Sequence, residues 1–478
     1  MKNSIDIERA SALLGRLGAL PIGRPTYLMF VAIGIATMAE GLDIGAMSVI
    51  LPRLKSLMQL APYQIGMLAA ASTFGITLSS LPVGLLADRV GRKRMLMTGF
   101  LICSVFTLLS GLAPNFSVLV VFRFLSGIGM AAVFVTPYAL VSEFVPGHKR
   151  GKVITIAECF LGLGYLLAPG LGLLCFHYLA PEAAWRLDLV LSGAPVIFFL
   201  FVSRNVPESP RWLVSSGRLD EAEVIITKFE RLNARTSIKL VAPTIFNAES
   251  ELRTERLSLR ETFRVLFAAK LALRWISLGC GTFGVFAVFF VSLGYLPSLF
   301  IDRGITFSNS LLYTLIATAF QIPGKITLSF LSDKIGRKPT FAVSMVCAIS
   351  CLSLFILFKD PISTICFSTL FLFFIAGCAP SYKLWYAEIF PTSVRTTGQT
   401  LVEGFFGRFL GGVVWISVFP LIAHEFGQTE TLILLTVMLF VVSLPPLFFT
   451  PETRRTRLLK NPESDIGTGF EAGAFHKH

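Results

Sequence analysis

The sequence predicts an all-α membrane protein with twelve transmembrane helices in two six-helix, pseudo-symmetric halves. Three observations carry that prediction. The 478 residues are 54% hydrophobic and only 15% charged, with a mean hydropathy of +0.72, which leaves too little polar surface for a long soluble chain. Apolar runs recur from end to end, each of roughly 18 to 25 residues and long enough to cross a hydrocarbon core of about 30 Å. Finally, "GLLADRVGRKR" (84–94) is echoed by "SFLSDKIGRKP" (329–339), at the same place in each half.

The elements follow in order. A polar leader (1–26) carries four basic residues and no small-residue cleavage site, so the first apolar run, from Tyr27, reads as an uncleaved anchor. Spans are expected near 27–51, 64–87, 95–113, 117–141, 153–176 and 187–204, which make a first bundle (27–204). A second bundle (273–450) holds spans near 273–300, 310–331, 340–358, 361–386, 398–422 and 430–450. Between them, residues 205–272 are polar, with an amphipathic pattern in "PRWLVSSGRLDEAEVIITKFERLN" that suggests helices along the membrane surface. A tail (451–478) follows.

Charge distribution orients the chain. The net charge of +13 is concentrated in alternate loops, such as "DRVGRKR", "HKRGK", "DKIGRK" and "ETRRTRLLK". The intervening loops "APNFS", "HYLAPEAAW" and "AHEFGQTE" are short and free of Lys and Arg, which places the basic loops and both termini on the cytoplasmic side, with a cell inner membrane as the expected location. The basic charge is topology, and no nucleic-acid partner is expected. All eight cysteines fall in expected spans without paired spacing or a His cluster, so neither disulfides nor a metal are indicated.

Within the spans the expected charges are Glu40, Asp43, Arg123, Glu158, Lys325, Lys383, Glu403 and Arg408. Each costs at least about 2.5 kcal/mol at a helix centre, so each should face the bundle interior and have a partner. At about 1.5 Å per residue, Asp43 and Arg123 lie at matching depths, roughly 12 and 9 Å below the outer boundary. An Asp43–Arg123 pair between helices one and four is therefore feasible, with Glu40 one turn deeper. A buried carboxylate can carry a proton, because desolvation disfavours its charged form while a nearby guanidinium favours it. The alternative is a static pair that locks the two helices. Glu158, Lys325 and Glu403 have similar depths and are expected to pair and gate the inner mouth, with Lys325 and Glu403 as partners, or to pack as fixed pairs. Arg408 lies near the midplane with no acid one turn away, which suits a substrate carboxylate; the alternative is backbone bonding. Lys383, near a helix end, is expected to snorkel. Glu158 is also a candidate substrate-binding residue, and Tyr165, Tyr295 and Trp415, with Phe289, are candidates for an aromatic cavity lining.

The repeated "DRVGRKR"-type loop resembles that of the major facilitator superfamily. "RFLSGIGMA" (123–131), "VPESPRWLVSSGRLDEA" (206–222) and "PETRR" (451–455) are similar to segments of its sugar-porter-like branch. "AECFLGLGYLLAP" (157–169) and "AEIFPTSVRTTGQ" (387–399) resemble the bacterial metabolite:proton and aromatic-acid:proton symporters. The resemblance covers residues 27 to 455 and implies the major facilitator fold, alternating access around a midplane site and an expected monomer. It also implies a proton-coupling role for Asp43 and Arg123 with Glu40. To Asp88, Arg89, Arg92, Glu143, Arg150, Asp333, Arg337, Glu388 and Arg395 it assigns a network that holds the halves together in the outward-open state.

No Walker loop, H-E-x-x-H motif or soluble nucleotide-binding unit is present, so an enzyme or ATP-driven pump is not expected, and no cofactor. The expected partners are the lipid bilayer, a small-molecule substrate and protons. Three readings compete: proton-coupled uptake of a small organic anion, proton-coupled sugar or polyol symport, and a sensor derived from a transporter.

Overall fold

The computed structural model describes residues 2–21, 23–145, 150–234, 259–390 and 394–454, and among these it contains helices and no strand. Among the described residues, twelve helices are long and apolar enough to cross a membrane. In the first half they are Arg24–Leu57, Pro62–Val90, Arg92–Gly111, Phe116–Pro137, Val153–Tyr178 and Pro181–Asn205. In the second half they are Ala269–Asp302, Phe307–Ile335, Arg337–Leu357, Pro361–Tyr386, Thr397–Phe426 and Gln428–Phe449. These are the first to twelfth spans. The sixth begins earlier than expected because Pro181 sits at its first turn, where a fixed φ and a missing N–H cost nothing. Asp188 lies inside this span on either boundary.

The repeated loop has a backbone reason. Gly91 and Gly336 have φ of +109° and +113°, a region that L side chains rarely adopt, and each ends one span and starts the next. The two copies differ at Gly84 and Ser329. A β-carbon at Gly84 would find its nearest neighbour only at 4.0 Å, so no close approach depends on it. Ser329 instead shares a hydrogen bond with Thr155 of the other half, 2.8 Å away. Close approach is needed at Gly41, where a β-carbon would lie 2.3 Å from the Leu161 carbonyl oxygen, so the first and fifth spans meet backbone to backbone beside Glu40.

The leader forms a helix, Lys2–Gly18. Its buried Leu13, Leu14 and Leu17 join Trp212, Leu213, Ile226 and Phe229 in one apolar cluster. The last four come from Pro210–Ser215 and Leu219–Ala234, helices of the inter-half segment. The amphipathic face expected along the membrane thus packs on protein. Arg9 meets Asp220 (2.7 Å) and Glu223 (2.6 Å), and Arg16 meets Glu230 (2.6 Å). The hydrogen bond from Arg9 holds the Glu223 carboxyl below its ordinary range. Residues 235–258 of that segment, and the tail from 455, lie outside the described residues.

Candidate functional site

Glu40 and Asp43 stand three residues apart on the first span, and each is 1% exposed. Asp43 looks into its own half. One carboxylate oxygen takes the Arg123 guanidinium and the Thr107 hydroxyl, and Arg123 also donates to the Asp43 backbone carbonyl (3.0 Å). The Arg123 carbonyl is in turn held by Ser72 and Ser126. The expected pair between helices one and four is present, braced by spans two and three. The second carboxylate oxygen, Oδ2, has no partner.

Glu40 looks across to the other half, where Arg408 of the eleventh span lies 3.2 Å away. The Arg408 guanidinium also stacks on Phe134 of the fourth span, 3.6 Å from the ring centre. Its Nη2 serves Glu40, while Nε and Nη1 are buried without partners. Arg408 is thus both paired and left with two free donors.

Around it runs a second set of pairs, two of which cross between the halves. Glu158 accepts from Lys325 (3.1 Å) and from Lys383 (2.7 Å), and Lys383 reaches Glu403 (3.3 Å). Lys325 also donates to the Glu158 backbone carbonyl at 2.9 Å, and the Tyr386 hydroxyl donates to Glu403. The expected Lys325–Glu403 pairing is therefore corrected: Lys325 partners Glu158, because the fifth and eighth spans face each other there. Lys383 does not snorkel. It turns inward, since two carboxylates offer more than an exposed headgroup level would.

Glu403 and Arg408 share a cavity because the eleventh span is π-wound over Thr400–Trp415. In an α-helix, residues five apart diverge by about 140°. The wider π turn, with its i→i+5 bonding, brings them to one side. The cavity, about 50 Å³, is lined by these two residues with Glu158, Lys325, Lys383, Tyr165, Tyr382 and three phenylalanines, Phe286, Phe289 and Phe290. Three cations and three carboxylates, Glu40 included, therefore balance at the centre. Of the aromatic candidates, Tyr165 lines the cavity and packs edge-on against Phe289. Tyr295 does not: its hydroxyl donates to the Ile416 carbonyl and its ring stacks on Phe419. Trp415 packs against the apolar core instead of the cavity.

At the basic face, among the described residues, each charge set pairs within its own half, and each is tied to the segment that follows that half. Arg92 pairs with Glu143 and, at 3.7 Å, with Asp88; Glu143 accepts from Ser209; Glu208 accepts the backbone N–H groups of Arg92 and Lys93. In the second half, Arg337 pairs with Glu388 (3.1 Å) and Asp333 (3.4 Å), Glu388 accepts from Thr453, and Glu452 accepts from the N–H groups of Arg337 and Lys338. Glu208 and Glu452 thereby satisfy helix-start donors that have no intrahelical acceptor. Partial burial alone would push the Glu452 carboxyl up. The N–H groups of Arg337, Arg454, Lys338 and Thr453 outweigh it and hold that carboxyl below the usual range. Arg89 is exposed, and the side chains of Arg150 and Arg395 lie outside the described residues.

On the opposite face the halves touch. Phe176 meets Phe307 edge-on at 4.9 Å between ring centres, and Arg53 stacks on Phe307 at 4.1 Å.

Two residues went unnoticed in the sequence. Phe134, the platform under Arg408, has no signal that separates it from the 44 phenylalanines. Asp188 did have one, an acid in an apolar run; it is fully buried and both its oxygens lack partners.

With this geometry in view, comparison with known proteins is informative. The family described as "Sugar (and other) transporter" matches residues 28–463. The niacin transporter NiaP of Acinetobacter baylyi is 29% identical over 446 residues, covering 92% of this chain and 98% of that protein. The inner membrane metabolite transport protein YgcS of Escherichia coli is 26% identical, covering 93% and 95%. A probable 4-methylmuconolactone transporter of Cupriavidus pinatubonensis is 27% identical, covering 89% and 90%. Among solved structures, the xylose transporter XylE of E. coli in a partially occluded inward-open conformation matches with a TM-score of 0.72 at 20% identity. It covers 90% of this chain and 99% of XylE, a likeness of fold.

Proposed function

The chain belongs to the sugar (and other) transporter family, and on that premise we propose that it imports a small organic anion together with a proton by alternating access. It is an integral membrane transporter, not an enzyme. The observation that carries the anion reading is Arg408, 5% exposed, with Nε and Nη1 free beside a cavity lined in part by Tyr165, Tyr382 and three phenylalanines. A planar guanidinium fork suits a carboxylate, and the rings suit a flat apolar body. Niacin, for which one relative is named, is a small aromatic carboxylic acid.

Proton coupling follows from charge balance. A monoanion entering a dry site of three cations and three carboxylates leaves one negative charge uncompensated, at a cost of several kcal/mol. A proton on Glu40 removes that excess and frees Arg408 for the substrate. The unpartnered Asp43 Oδ2 makes Asp43 the second proton candidate, in a place that substrate does not reach. The Glu158–Lys325–Lys383–Glu403 set joins the halves below the site, so it is assigned the gate. The basic face is assigned to the cytoplasm.

Sugar or polyol symport keeps one observation in its favour: Gln321 is fully buried with both amide atoms unpartnered. Gln321 does not line the central cavity. Uptake into proteoliposomes decides between these readings. Aromatic monocarboxylates should accumulate under an inside-alkaline gradient and be outcompeted by each other, not by sugars. Accumulation of sugars, or uptake indifferent to the gradient, would overturn the proposal.

A further inference from the structure

We propose that the crevice between the fifth and eighth spans holds one acyl chain of a membrane phospholipid, as a wedge between the two halves. The crevice has a volume of about 520 Å³ and is lined from one half by Cys159 and Leu163, among others, and from the other by Ile322, Ile326, Phe330 and Asp333. Its rim faces sideways out of the bundle: Ile326 is 40% and Phe330 64% exposed, on a helix that crosses the membrane. Hydrocarbon is therefore the solvent at its mouth.

Length and polarity select the occupant. From Ile322 to Asp333 the eighth span advances about 16 Å at ~1.5 Å per residue. That matches the depth of one leaflet, about half of a 30 Å core. Asp333 marks the headgroup level, paired with Arg337, and Ile322 lies towards the midplane. The hydroxyls in the lining, Thr155 and Ser329, bond each other at 2.8 Å. The deeper wall asks for no hydrogen bonds, which fits a hydrocarbon chain and not a polar solute.

The wall between crevice and central site is thin. A β-carbon at Gly162 would lie 3.4 Å from Ile322 and 3.8 Å from the Lys325 ammonium nitrogen. Cys159 lines the crevice, while its neighbour Glu158 reaches inward to Lys325. A chain seated there rests on the same two helices whose spacing sets that ion pair, and so favours this arrangement of the halves over one in which they part.

The test uses the full chain in detergent, with a phospholipid carrying a photoreactive diazirine at its acyl terminus and peptide mapping by mass spectrometry. Cross-links are expected to concentrate around Leu163 and Ile322, above those at Leu78 and Leu81, which are each 60% exposed on the second span. Ile326→Trp and, separately, Cys159→Trp should lower crevice labelling at least about tenfold, the cost of displacing a few buried methylenes. Leu78→Trp should leave it unchanged. Labelling spread evenly over the apolar surface, or crevice labelling that survives in either monodisperse Trp variant, overturns the proposal.

Discussion

Two ion pairs sit one helical turn apart on the first span and behave as opposites. Asp43–Arg123 lies within one half, and three groups beyond the carboxylate's own salt bridge hold it in place: Thr107, Ser72 and the Asp43 carbonyl. Glu40–Arg408 crosses between halves, rests on a longer contact of 3.2 Å, and leaves two guanidinium donors unused. Rocking of the halves would leave the first pair intact and strain the second. The difference teaches that burial and charge alone do not mark a working residue; what matters is which body each partner belongs to, and whether donors are left over.

The sharpest way to break the comparison is Arg408→Met. It should abolish uptake, by about 100-fold or more, within the 2–5 kcal/mol that truncating one partner of a buried charge pair costs. Combining it with Glu40→Gln should restore folded yield without restoring uptake, since the stranded carboxylate is then neutralised but the anion seat is still missing. Yield by size-exclusion profile and uptake in vesicles separate the two effects.

Next comes the contrast of the acids. Glu40→Gln should remove stimulation of uptake by a pH gradient while substrate exchange continues. Asp43→Asn should keep the gradient response and lower thermal stability, by up to the roughly 3–5 kcal/mol of an uncompensated buried partner. If Asp43→Asn alone abolishes the gradient response, the two roles are exchanged.

The gate offers a third test. Lys325→Glu should stop uptake, and Glu158→Lys should rescue it only in part, because Lys383 would then face the new lysine. Glu403→Lys should not rescue it. Full rescue by Glu403→Lys would mean that the halves pair differently from the arrangement described.

The smallest effect is expected at the helix start held by Glu452. Glu452→Gln should cost about 1 kcal/mol, as capping substitutions do. Because this carboxyl is held below its unfolded range, its contribution is complete above that range and is lost as pH falls through the lowered folded value. Thermal unfolding of wild type and variant should therefore converge in acid and differ at neutral pH.

Much was legible in the sequence because the bilayer is a strict solvent. Span number, the repeated glycine turn and the family follow from apolar runs and from residues whose backbone or charge has few substitutes. The Asp43–Arg123 pair was reachable from depth alone, since both ends belong to helices of one half. The Lys325 partner, the inward turn of Lys383 and the Glu40–Arg408 pair were not. Each depends on how two halves, joined by a long segment, dock face to face. Likewise, α-helical spacing misleads about Glu403 and Arg408, because the eleventh span is π-wound where both residues sit.

The chain by itself thus determined that it crosses a membrane twelve times, that its two halves share a plan, and that buried acids in "AEGLDIG" must find partners. Only the tertiary structure decided which partners. Hydrophobicity and local backbone preference act along the chain and can be read in one dimension. The pairing of charges across two docked bundles depends on rotation, winding and register, for which no local residue pattern carries the information.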